Sequence, residues 1–195
     1  LGIHPRDIRD VAGTCWLASD RDEVWVDSLE LPSLESVLSS KEAFAEAFRL
    51  FYLEQDPVRG RTQLQSHGPR WVVQNPPARP LATSELDAVY DLPYARTFHP
   101  DYEPEGGVPA IQEVQFSLVS HRGCFGACSF CAISSHQGRI IQSRSKESLL
   151  NEATLLAKMP NFKGYIHDVG GPTANFRHPS CADQLERGTC RGRDC

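Results

Sequence analysis

Apolar residues recur at helical spacing over 41–55. In KEAFAEAFRLFYLEQ, Phe44, Phe48 and Phe51 or Tyr52 line one side. Ser40 stands ready to cap that helix, Glu42 falls in its first turn, and Asp56-Pro57 ends it. The aromatic stripe predicts a face turned into a core. The same period returns in KESLLNEATLLAKM after Ser145, with Leu149, Leu150, Ala153, Leu156 and Ala157 in register and Pro160 as the stop. A shorter helix is predicted from Thr83 or Ser84 through Tyr90. Strand patterns fall at 13–18 (GTCWLA), 23–26, 70–74 (RWVVQ), 111–120 and 164–169. In IQEVQFSLVS, alternation puts Val114, Phe116 and Leu118 on one face.

These elements predict an α/β protein in two parts. Residues 1–109 form an upstream mixed α/β region, ending in a proline-rich linker (DLPYARTFHPDYEPEGGVP) with a Gly106-Gly107 pair. Residues 110–195 begin a second part. Its strand, loop, helix and strand read as a βαβ unit, with parallel pairing and a right-handed crossover.

Composition narrows the classes. The 195 residues carry a formal charge of −5, which does not indicate nucleic-acid binding. No apolar run approaches the roughly 18 residues of a membrane helix, and the charged first ten residues lack the apolar segment of a signal peptide. The chain begins at Leu1 and its single Met is Met159, so it reads as an internal fragment of a longer protein. Seven cysteines, an odd and clustered set, read as metal ligands in a reducing cytoplasm rather than as a disulfide framework. Cys15 stands apart and reads as an ordinary buried thiol.

The chemistry lies in RGCFGACSFCAISSHQGR, residues 122–139, where Cys124, Cys128 and Cys131 follow a C-x3-C-x2-C spacing. Structural zinc wants four closed ligands. Here there are three thiols, and His121 and His136 are oddly spaced for a fourth. A [4Fe–4S] cluster normally takes four thiolates. Three supplied from one loop leave an iron open to an outside ligand. Gly123 and Gly126 let the backbone approach such a cluster. A zinc-stabilised binding module remains the alternative, as does a fragment that binds a cluster without turnover.

These residues resemble the radical S-adenosylmethionine (SAM) superfamily, whose signature is C-x3-C-x-aromatic-C on the loop after the first strand of a partial (β/α)6 barrel. The stretches RGCFGACSFCAISSHQGRIIQSRSKESLLNEA and GYIHDVGGPTAN, with the upstream NPPARPLATSELDAVYDLPYARTFHP, look like the YgiQ-type members. The resemblance implies that Cys124, Cys128 and Cys131 hold a [4Fe–4S] cluster, that S-adenosyl-L-methionine binds its open iron, and that a 5′-deoxyadenosyl radical results. It implies that Phe130 contacts the adenine and that Gly170 and Gly171 meet the methionine amino group, with Pro172 in place of the usual acidic residue. The guanidinium of Arg144, or of Arg139, suits the methionine carboxylate. Asp168 could accept from a ribose hydroxyl, and His136 and His167 lie near. A reducing partner such as flavodoxin or ferredoxin is implied. Cys181, Cys190 and Cys195 (C-x8-C-x4-C) read either as a second site, for an auxiliary iron–sulfur cluster or zinc, or as thiols without metal. The substrate and the reaction class are not legible.

Overall fold

Alternation along short strands builds the first sheet. Its elements are β1 (Cys15–Ala18), β2 (Ser28–Glu30), α1 (Leu34–Ser39), α2 (Lys41–Leu53), β3 (Thr62–His67) and β4 (Arg70–Gln74). The structure is a computed structural model that describes residues 2–191. They fall into two units, 2–80 with 181–191, and 81–180.

In the first unit the strand order is β1-β4-β3-β2, with β4 antiparallel to both neighbours and β2 parallel to β3. The register sets Val73 opposite both Trp16 and Leu64. One face therefore collects Leu64, Val73, Ala18 and Val24, with Trp16 and Trp71 packed against them. Cys15 and Leu17 point the other way, so Cys15 is exposed and not the buried thiol expected. The segment 23–26 is not a strand either. Arg21–Glu23 is a 3-10 turn, and pairing begins only at Ser28.

Helix α2 is capped as expected, its Ser40 hydroxyl accepting from the Ala43 N–H at 3.2 Å. Its aromatic stripe, however, is not core. Phe44 and Phe48 are 60% and 56% exposed. The inward line runs through Ala43, Ala47, Leu50 and Glu54, offset by one position from the phenylalanines.

Past α2, the buried Asp56 carboxylate gathers the N–H groups of Val58 and Arg59 and, from far along the chain, the N–H and hydroxyl of Thr189 at 2.6 and 2.9 Å. Burial pushes this carboxyl up, but the hydrogen bonds from Thr189, Val58 and Arg59 prevail and hold it below its ordinary range. A depressed folded-state value gives stability that is present above the ordinary carboxylate range and is lost as pH falls through the lowered value. Acid titration of hydrogen exchange at 188–190 is expected to show protection lost in that window. Asp56→Asn is expected to weaken that protection at neutral pH and to flatten its acid dependence. A wild-type profile in the variant would refute this.

The second unit contains α3 (Thr83–Tyr90), α4 (Ile111–Val114), β5 (Ser117–Val119), β6 (His121–Arg122), α5 (Ile133–Gln137), β7 (Gln142–Ser143), α6 (Lys146–Ala157) and β8 (Asp168–Gly170). The expected strand at 111–120 is half helix. The Gln115 N–H closes a turn on the Ile111 carbonyl at 2.9 Å, and Val114 faces out, while Phe116 and Leu118 are buried. Strand β5 pairs in parallel with β8, and α6 lies between them in sequence, as the βαβ pattern predicts. The pairing begins at Asp168, four residues later than the 164–169 pattern suggests. Phe116, Leu118 and Leu156 form the core, closed by Leu149, Ala153, Met159, Phe162 and Ile166. Ser145 caps α6 at the Ser148 N–H, 3.0 Å. The fold is mixed α/β with parallel and antiparallel sheets, and no (β/α)6 barrel is seen among the described residues. No helix among them is long and apolar enough to cross a membrane.

Candidate iron–sulfur site

The cysteine loop leaves the sheet at Arg122 and returns at Gln142. Its base is the β6–β7 ladder, His121 opposite Ser143 and Arg122 opposite Gln142. The Cys124 N–H donates to the Gly138 carbonyl at 3.0 Å. Gly123 lies at φ +91°, and a Cβ there would fall 2.6 Å from the Ile140 carbonyl oxygen, so only glycine lets the two sides of the loop close. Ala127 also takes a positive φ, 46°. That turn between the first two cysteines brings their sulfurs to one side of Gly126. A Cβ on Gly126 would lie 3.5 Å from Cys124 Sγ and 3.7 Å from Cys128 Sγ. Cys131 follows through a turn closed by its N–H on the Cys128 carbonyl at 3.0 Å, just before α5. Cys124 is buried and Cys128 exposed, and all three thiols are free.

The donor set suits a soft metal centre: three thiols, no disulfide, and a glycine cradle between two of the sulfurs. Among the described residues no three Cys, His, Asp or Glu side chains converge tightly enough to hold a lone ion.

Parallel pairing puts the segment after β8 beside this loop. The Thr173 hydroxyl donates to Cys124 Sγ at 3.4 Å. Phe176 packs on Phe125 of the loop at 4.2 Å and edge-on to His121 at 5.9 Å. His121 is fully buried and bonded through Nδ1 to the Ser120 hydroxyl at 3.1 Å. Burial, and then the Arg177 charge, lower its pKa. It lies against Gly171, where a Cβ would come within 1.9 Å of its Cε1.

The other sequence candidates fall in different settings. Phe130 is 90% exposed on the cysteine loop, free to meet a flat ligand. The Gly170 carbonyl accepts the Ser120 N–H at 2.6 Å and extends the β5–β8 ladder. Arg144 is no solvated fork. It is 1% exposed, lies 4.0 Å over the Tyr90 ring, and donates to the Val119 carbonyl, to Ser148 and to Glu152. Its donors are thus directed at the chain itself. Arg139 is half-buried, and Asp168, His136 and His167 are exposed. Cys181 and Cys190 are exposed thiols of the first unit, and Cys195 lies outside the described residues. Sequence reasoning missed Thr173, Phe125 and Phe176. The only written trace of their contact is the glycine pair, which marks a close approach without naming the group that approaches.

The model of the radical SAM N-terminal family matches residues 2–117. The chain belongs to that family. As a radical SAM protein it has relatives across its whole described length, cysteine loop included. A UPF0313 protein of Clostridium botulinum strain 657 is 55% identical over 194 residues, covering 100% of this chain and 30% of the relative. A UPF0313 protein of Clostridium perfringens strain 13 is 54% identical, with 100% and 29% covered. The radical SAM chain therefore spans about 30% of the length of the relatives it matches. No solved structure matches it.

Proposed function

We propose that this chain carries the cluster-binding part of a YgiQ-type radical SAM enzyme, as the start of a partial (β/α)6 barrel. Cys124, Cys128 and Cys131 hold a [4Fe–4S] cluster, and S-adenosyl-L-methionine takes the open iron. The observation that carries the reading is the pair of sulfurs beside Gly126, on a loop closed by the β6–β7 ladder just beyond the parallel strand β5. When bound, such a cluster would pass one electron, received from a flavodoxin- or ferredoxin-like partner, to the sulfonium of S-adenosylmethionine, breaking the C5′–S bond to give methionine and a 5′-deoxyadenosyl radical. The chain's own residues then bind and orient. Gly126 leaves room beside two sulfurs, and exposed Phe130 offers a face to adenine. The His121–Phe176 packing holds the Gly170-Gly171 segment near the methionine end. The proposed setting is the cytoplasm, where thiols stay reduced.

Anaerobic reconstitution of the full-length protein with iron and sulfide tests this. About four irons per chain are expected, with loss of that iron in Cys128→Ala. Dithionite and S-adenosylmethionine should then release 5′-deoxyadenosine. Stoichiometric zinc with no visible chromophore would overturn the reading.

A further inference from the structure

We infer that Thr173 is the hydrogen-bond donor to the Cys124 sulfur and that it sets the reduction potential of the centre held there. The inference rests on the cluster reading above.

Three anchors fix the segment that carries Thr173. At its start, Gly171 lies under the His121 imidazole, in a space no side chain could share. At its end, Phe176 is wedged against both Phe125 and His121. Just beyond, the Arg177 carbonyl accepts the Ser143 hydroxyl at 2.7 Å, and its guanidinium reaches the Arg144 carbonyl at 3.3 Å. Between these anchors the Thr173 hydroxyl meets Cys124 Sγ at 3.4 Å. A metal-bound cysteine is a thiolate and only accepts, which makes the hydroxyl the donor. Donors to cluster sulfurs stabilise the more negative, reduced state. Thr173 itself is exposed, so its replacement removes no core packing. It acts through Cys124.

The test is an EPR-monitored redox titration of the anaerobically reconstituted full-length protein, with iron counted in each sample. Thr173→Val is expected to keep its iron and to shift to a more negative potential, and Thr173→Ser to keep the wild-type potential. A Thr173→Val protein with full iron and an unmoved potential overturns the inference and leaves the cluster reading standing. If Thr173→Val holds no iron, Thr173→Ser decides. Retained iron at the wild-type potential supports the hydroxyl, and loss there too overturns it in favour of side-chain packing. A wild-type protein that takes up no iron overturns the cluster reading and the inference with it.

Discussion

Arg144→Ala is expected to cost the second unit roughly 3–5 kcal/mol, the range for removing one partner of a buried ion pair. The guanidinium lies at the centre of a buried network. It bonds Glu152, the Ser148 hydroxyl and carbonyl, and the Val119 carbonyl at the end of β5, and it covers the Tyr90 ring. Glu152 also takes Arg96 at 2.5 Å. Truncation leaves the partly exposed Glu152 carboxylate with one cation in place of two and the Val119 carbonyl without this donor. A lysine in its place keeps the charge but not the fork, and is expected to recover less than half of the loss. Amide hydrogen exchange over β5 and α6 checks this. Wild-type protection in Arg144→Ala would sink it.

That network was not legible in the sequence. Arg144 reads in the sequence as a fork for the methionine carboxylate, because the tyrosine, serine and glutamate that enclose it come from other elements. Local signals fared better. Ser40 and Ser145 announced their helices, since capping is settled within three residues. The parallel pair was legible because strand, helix and strand follow one another in the chain. Strand β3 was not, since TQLQSH has one apolar residue among polar ones and is held in the sheet by pairing on both sides. The α2 stripe misled because large aromatics dominate a hydrophobic pattern even where alanines form the inner line. At the site, the cysteine spacing singled out three thiols that one loop carries. Which neighbour reaches the sulfurs depended on the β5–β8 register, a long-range pairing that spacing does not encode.

Gly171→Ala is expected to release the 171–176 segment from the cysteine loop. The added methyl would fall 1.9 Å from His121 Cε1, 2.1 Å from Nε2 and 2.5 Å from Nδ1. The ring cannot swing aside, because Ser120 holds Nδ1 and Phe176 packs against it. Overpacking of this kind costs about 1–3 kcal/mol. The segment is the part that can yield, since the residues after β8 are irregular and mostly exposed. Its departure takes Thr173 from Cys124 and Phe176 from Phe125. The reconstituted Gly171→Ala protein should therefore match Thr173→Val in potential, although residue 173 is unchanged. A double-mutant cycle separates steric cause from general damage. His121→Ala opens the space the methyl needs, and among the described residues Nε2 has no hydrogen-bond partner to lose. The two substitutions together are expected to cost less than the sum of each alone, by about 0.5–3 kcal/mol. Strict additivity would mean that the imidazole is not what the glycine makes room for.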